Sequence, residues 1–357
     1  MSLENIAIHI HNWLSSIIPS FGVLLIEMVL VGVLIIGLFA VLGLVLVFAE
    51  RKVSARMQIR MGPNRVGPMG TMQTMADTLK LFVKEGITPK GADKILFNLA
   101  PMLAVIVSMV IMAPIAFAKN FQIWDINIGL LFITSVSSLS VISILLAGWA
   151  SNNKYSLLGA MRNGAQIISY EISAGLAILS IVVLAGSLNV SDIIHSQSNG
   201  WWIFKGHIPV WIAFIIFIIS ATAETNRTPF DLAEAESELT AGFHTEYSGM
   251  KFALFFLAEY VNIFVVCAIA ATIFLGGWMP FHIGGWDAFN QIMDYIPSSI
   301  WFFGKTLALI FVIMWFRWTF PRLRIDQLLN LEWKYLLPIG LINIVLITLI
   351  AILGWHL

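Results

Sequence analysis

The sequence predicts an all-α polytopic membrane protein with eight spanning helices and amphipathic surface helices. Three observations carry this. Of 357 residues, 59% are hydrophobic and 11% charged, and the mean hydropathy is +0.89, whereas soluble domains are roughly half apolar. The apolar residues gather in runs of about 20, enough to cross a hydrocarbon core of about 30 Å. Polarity does not alternate within the runs, unlike the strands of a membrane barrel.

The expected spans are 21–48, 95–118, 129–150, 167–187, 207–223, 252–276, 297–320 and 335–355. Together, residues 1–357 read as one membrane domain. The first run would reach about 42 Å as a helix, so it should tilt or protrude. Pro101 and Pro114 are expected to bend the second. Residues 1–20 contain no Lys or Arg, so no cleavable signal is expected. No internal repeat is evident, which weighs against many transporter folds.

Loop charge sets an expected direction. The loops after spans 1, 3, 5 and 7 hold nine, two, two and four basic residues, 17 of the 20 in the chain. By the positive-inside rule these loops face the cytoplasm and both termini the periplasm. A bacterial inner membrane is the expected location, with a mitochondrial inner membrane as the alternative. Two of these loops are large, an amphipathic one at 49–94 and an acidic one at 224–251.

Composition also limits cofactors. The single cysteine, Cys267, cannot hold an iron–sulfur cluster, which normally takes four protein ligands. None of the seven histidines lies in the middle of an apolar run, so a membrane haem is not expected. No redox cofactor is expected to be bound by this chain.

Four stretches carry chemistry. In "ERKVSARMQIRMGPNRVGP", Glu50–Pro68, Lys52, Arg56 and Arg60 recur every four residues and would line one helical face beside Val53, Met57 and Met61. A stop-transfer anchor on anionic lipid is the bland alternative. The turn formers around Arg65 favour a shaped loop. "GTMQTMADTLKLFVKEG", Gly70–Gly86, reads as a short amphipathic helix lying flat on the membrane. It would border an entrance for a lipid-soluble molecule or simply pack on the surface. "GWASNNKYSLLGAMRNGAQIISYE", Gly148–Glu171, reads as a polar, amide-rich loop that re-enters the membrane at Glu171.

The fourth, "ETNRTPFDLAEAESELTAGFHTEY", holds six carboxylates in 24 residues. Thr228 reads as a helix N-cap, Pro229 as the first helical residue and Asp231 as the partner in a capping box. That helix would run to Ala241 and stop at Gly242. Glu234 and Glu238 would share a face, with Phe230, Leu232, Leu239 and Phe243 as apolar neighbours. A solvated acidic face is the bland alternative; docking to a hydrophilic partner suits the mixture better. Ionisable groups in spans are costly and usually face a cavity. Glu27 and Lys305 fall in the outer half, and Glu171, Glu224 and Glu259 in the cytoplasmic half. Three acids from three helices at one depth are what a proton relay needs. A structural charge pair is the alternative, although Glu259 has no basic residue within a turn in sequence.

These blocks, with "RWTFPRLRIDQLLNLEWKYLLP", resemble the family of membrane-embedded H subunits of the proton-pumping NADH:quinone oxidoreductase, respiratory complex I. The likeness extends over about residues 20–355. It implies an enzyme subunit without redox centres of its own, at the junction of the membrane and hydrophilic arms. It implies a quinone-access tunnel lined at its entrance by spans 1 and 6 and the flat helix. Flavin and iron–sulfur clusters are implied in partner subunits, with quinone as substrate. Implied partners are hydrophilic subunits at the quinone site, small membrane subunits and lipid, and no nucleic acid. Carried onto this chain, the resemblance assigns Arg51, Arg60, Arg65, Phe230 and Asp231 to the tunnel. It assigns Glu171, Glu224, Glu259, Asp231, Glu234 and Glu238 to proton transfer. A related membrane subunit of an energy-converting hydrogenase or formate hydrogenlyase would share the glutamates, but the full "GPNRVGP" block favours the quinone enzyme. A stand-alone ion transporter would have no use for so long a docking loop.

A reporter fused after Leu357 is expected to be labelled from the periplasmic side. Accessibility labelling of intact and permeabilised cells checks this; labelling confined to the cytoplasm refutes the eight-span direction.

Overall fold

The computed structural model describes residues 11–16, 18–232, 236–282 and 286–354. Eight helices among them are long and apolar enough to cross a membrane. The first, α1 (Ser20–Met57), has 38 residues. At 1.5 Å per residue that is about 57 Å, so its final turns, carrying Glu50, Arg51 and Lys52, extend beyond a bilayer core. The expected basic helix is therefore the end of α1 itself. Arg60 lies beyond it, after Ile59 takes a left-handed conformation (φ 54°). Lys52 Nζ then donates to Pro63 O at 2.6 Å, folding the "GPNRVGP" loop back on α1. Gly70, at φ +80°, is required there: a Cβ would sit 2.7 Å from Asn64 N.

The flat helix is present as α2 (Gln73–Val83). α3 (Lys94–Ile111) starts at Asp93, whose carboxylate accepts from the amides of Ile95 and Leu96. It stops short of the expected 118. Pro101 lies inside it, while Pro114 falls past its end, where β1 (Ala116–Ala118) and β2 (Phe121–Gln122) form a small antiparallel hairpin. α4 (Gly129–Ala150) matches its expected bounds.

α5 (Lys154–Ala185) corrects the reading of Gly148–Glu171 as a loop. Asn153 caps it through Tyr155 N, and the polar stretch is already helical. Its amides are buried: Asn163 and Gln166 are covered with Ser156, Gly159 and Ala160, of which Ser156 and Ala160 lie against Gly148 of α4 and Gly159 against Gly242. Small residues permit close packing, and the buried Gln166 amide answers backbone carbonyls that water would otherwise meet. Two short helices, α6 (Val190–His195) and α7 (Trp202–Lys205), lead into α8 (His207–Glu224). α9 (Glu236–Leu239) is one turn long.

α10 (Gly249–Leu275) is central, with every residue from Ile263 to Phe274 buried. A helix buried all round needs no amphipathic stripe. α11 (Asp287–Asp294) precedes α12 (Ser298–Thr319). The eighth span is α13 (Ile325–Leu331) and α14 (Leu337–Leu353), joined by a π-helical turn, Glu332–Leu336. At the opposite end from the basic loops, Lys305 Nζ donates to the carbonyls of Leu275, Gly277 and Met279 at 2.6, 2.9 and 2.6 Å. It thus caps the C-terminus of α10, where the helix dipole favours a cation. Glu27 pairs with His11 at 2.7 Å.

Gly148 on α4 lies against the first turns of α5, where an added Cβ would meet Ser156 O at 2.7 Å and also strike the Ala160 side chain. Gly148→Val is expected to destabilise by about 1–3 kcal/mol through overpacking, measured as a lower melting temperature of the purified membrane complex.

Candidate functional site

The acidic segment does not form the helix expected from Thr228. After α8 ends, Asn226 is left-handed (φ 52°) and the chain turns: Phe230 N donates to Arg227 O at 2.8 Å and Leu232 N to Phe230 O at 3.0 Å. Helix in the described residues is limited to α9, followed by a single 3-10 turn, Gly242–His244. Glu234 lies outside the described residues. Burial explains the departure. Phe230 and Leu232 are buried, and Phe230 packs its ring 5.4 Å from Tyr170. Gln166 Nε2 donates to Ala223 O and Phe230 O, both at 2.7 Å. Packing thus overrides a local helix signal. Asp231 pairs with Arg322 at 2.7 Å instead of closing a capping box, and Glu238 pairs with Arg162 at 2.6 Å.

The turn drives Arg227 inward, to 3% exposure. Its Nη1 donates to both Glu50 oxygens at 3.1 and 2.9 Å. Its Nε lies 2.8 Å from Glu259 Oε1, an ion pair at contact distance without hydrogen-bond alignment. Tyr260 places its ring under the guanidinium, 4.4 Å from the centroid. Arg317 reaches Glu50 from the far end of α12. Two carboxylates and two guanidiniums therefore balance, and four segments meet at one buried cluster. Burial opposes the charge on Arg227, but Glu259 and Glu50 outweigh it and hold the guanidinium more firmly protonated than usual. Glu259 is thus paired, by a residue 32 positions earlier. Sequence reading passed over Glu50, Arg227 and Arg317; four charged residues at the inner ends of four apolar runs were the available signal.

Two cavities follow from this cluster. The smaller, about 60 Å³, is lined by Glu224, Glu259, Asn262, Ser140 and His244. The larger, about 260 Å³, is lined by Glu171, Glu224, Asn262, Ser140, Ser137 and apolar residues of α3, α4, α5 and α10. Glu224, Asn262 and Ser140 belong to both walls. Ser138 donates to Glu171, and Ser108 Oγ to Asn262 Oδ1 at 2.7 Å. A water occupies about 30 Å³ of liquid, so both cavities have room for one beside these polar side chains, in walls that are otherwise mainly apolar. His244 stands edge-on to Phe243 and Phe252. Burial pushes its pKa down to about 4, against the pull of Asp231, so its imidazole is neutral at neutral pH.

A third cavity, about 380 Å³, lies between α1, α2 and α10. Its wall is apolar, from Ala40 and Val47 to Phe256, and ends at the Arg51–Asp77 ion pair and Lys80. Arg51 is thus at a cavity mouth. Arg60 and Arg65 sit on the exposed loop outside that wall. Phe230 and Asp231 line none of the three cavities. Among the described residues no cluster of His, Cys, Asp or Glu has the geometry of a metal site.

The class defined by this fold is a polytopic α-helical membrane protein with carboxyl-bearing cavities between its helices, beside a buried charge cluster. Residues 28–348 match the family model described as NADH dehydrogenase. Among curated relatives, the H subunit of the NADH-quinone oxidoreductase of Bacteroides fragilis is 56% identical over 347 residues, 97% of each chain. The corresponding H subunit of Bacillus cytotoxicus is 51% identical over 322 residues, 89% of this chain and 93% of its own. The NADH-quinone oxidoreductase subunit 8 of Rhodothermus marinus is 50% identical over 328 residues, 90% and 96%. The chain belongs to the NADH dehydrogenase family, alongside these H and 8 subunits.

Arg227→Met is expected to destabilise strongly, because it leaves Glu50 and Glu259 buried with less compensation; loss of one partner of a buried pair costs about 3–5 kcal/mol. Native-gel assembly and heat stability measure this. Pairing it with Glu50→Gln should recover part of the loss.

Proposed function

We propose that this chain, as a membrane subunit of NADH:quinone oxidoreductase, forms the quinone-access tunnel and starts the proton-transfer line of that enzyme. The observation that carries the reading is the pair of cavities sharing Glu224, with Glu171 at one end and Glu259 at the other. Carboxyls separated by room for water can pass a proton by hydrogen-bond exchange, and an intramembrane acid is by default a functional candidate. Glu259 also touches the Arg227 cluster, so a change of charge there acts directly on the line. Neutral His244 adds a hydrogen-bonding group to the smaller cavity without adding charge.

The cavity between α1, α2 and α10 supports the tunnel reading. An isoprenoid tail is met by its apolar wall, and a headgroup oxygen by Arg51 or Lys80 at its end. Electrons would come from flavin and iron–sulfur clusters in partner hydrophilic subunits docked on the loop side. Asp231 and Glu238 are engaged by Arg322 and Arg162, so the acidic segment is held within this chain as well as available to a partner. A negative quinone species nearby would compete for those arginines and shift the segment.

Glu224→Gln is expected to leave assembly intact and lower quinone-linked turnover with proton pumping by about tenfold or more, as loss of a positioned proton carrier does. Glu259→Gln also removes a partner of buried Arg227, so it is expected to lower assembly as well as both rates. Activity and pumping in reconstituted complex check this. Asp231→Asn separates coupling from static docking in the same assay: coupling lowers both rates in assembled complex, and docking lowers assembly alone.

A further inference from the structure

The proposed line uses Glu171, Glu224 and Glu259. Another carboxyl lies in the same bundle, against the opposite face of α5. Glu332 opens the π-turn between α13 and α14 and is fully buried. A π-turn inserts one residue into the helical repeat, swings side chains off the regular register, and occurs often at functional sites. Here Glu332 faces inward, while Trp333, Lys334 and Tyr335 of the same turn are exposed.

The surroundings of this carboxyl are sparse. Ser173 Oγ donates to Oε1. Oε2 is buried and has no hydrogen-bond partner among the described residues. Of the elements packed against the turn, α14 carries no titratable residue, and α13 carries Asp326, which is exposed. α5 presents Tyr170, whose hydroxyl donates to Leu328 O at 3.0 Å. Glu171, also on α5, lines the larger cavity instead. Among the described residues one hydroxyl donor and no cation meet this carboxyl, which does little to offset the cost of a buried charge. Release of a proton from Glu332 therefore requires a new donor or a water at Oε2.

The turn is tied to the acidic segment by three contacts. Leu323 N donates to Pro229 O at 3.0 Å, and Arg322 Nη2 donates to Asp231 Oδ2 at 2.7 Å. Tyr170, which holds α13 at Leu328, packs on Phe230. Displacement of residues 229–231 is thus carried into α13 and the turn that follows it.

We propose that Glu332 is a further proton-binding carboxyl of this chain, and that it exchanges its proton when movement of the 229–231 segment shifts the π-turn. This rests on the reading that the acidic segment responds to quinone. The step is acid dissociation: the carboxylic acid gives a carboxylate and a proton, which leaves through water admitted at Oε2, and no electron moves.

The test is infrared difference spectroscopy of the whole reconstituted complex, quinol-loaded minus oxidised, with Glu332→Gln beside the parent. One protonated-carboxyl band is expected to vanish in the variant. The ratio of protons pumped to electrons transferred should fall, with the electron-transfer rate kept within about twofold. Unchanged carboxyl bands and an unchanged ratio in assembled variant overturn the proposal. Should Glu332→Gln not assemble, Ser173→Ala removes the one donor to the carboxyl and is expected to shift the same band; an unshifted band overturns the proposal. Glu224→Gln, measured in parallel, tells the two readings apart. Normal pumping in Glu224→Gln sinks the proton line itself. Impaired Glu224→Gln beside a silent Glu332→Gln sinks the role of Glu332 alone.

Discussion

The structure depends on burying one guanidinium. Arg227 leaves the end of α8 through a tight turn and enters a space where Glu50 of α1, Glu259 and Tyr260 of α10, and Arg317 of α12 converge. A lone charge at that depth would cost several kcal/mol, and pairing repays the cost only with good geometry. The bifurcated contact of Nη1 to Glu50, the ion pair with Glu259, the second cation on the Glu50 carboxylate and the aromatic face supply part of that geometry, while Nε and Nη2 make no hydrogen bond among the described residues. These contacts link positions up to 267 residues apart. They also fix the position of Glu259, because its partner is fixed.

Around that cluster, the helices close without filling all the space between them. Packing inside proteins leaves few voids larger than a water, so two adjoining cavities that share three polar side chains in otherwise apolar walls are a specific feature. Both are bounded by Asn262, Ser140 and Glu224, from α10, α4 and α8. Each wall residue is a short polar side chain on an otherwise apolar helix. Such side chains leave room for water and give it partners, while Ile and Phe neighbours exclude it elsewhere.

The acidic segment is held on two sides. Gln166, Tyr170 and Arg162 grip it from α5, while Arg322 and Leu323 grip it ahead of α13. It therefore bridges two spans that are far apart in sequence. Any displacement of the segment would be felt in both.

Length and hydropathy by themselves determined the eight helices, because a span must satisfy its backbone internally and present apolar side chains over about 20 residues. They also determined that Glu171, Glu224 and Glu259 stand within spans, since an acid in an apolar run is visible without a fold. Helix ends were less legible: polar residues at Gly148–Glu171 read as loop, yet Asn153 caps a helix there whose amides are buried. The acidic stretch carried a sound local helix signal at Thr228–Asp231, but burial of Phe230 and Leu232 outweighed it. Only the tertiary structure decided which charges meet. Arg227, Glu50 and Arg317 are joined by no sequence spacing, and Glu332 is buried by a π-turn whose register no periodicity announces. Pairing across space depends on how helices pack, and packing is a property of all the spans together.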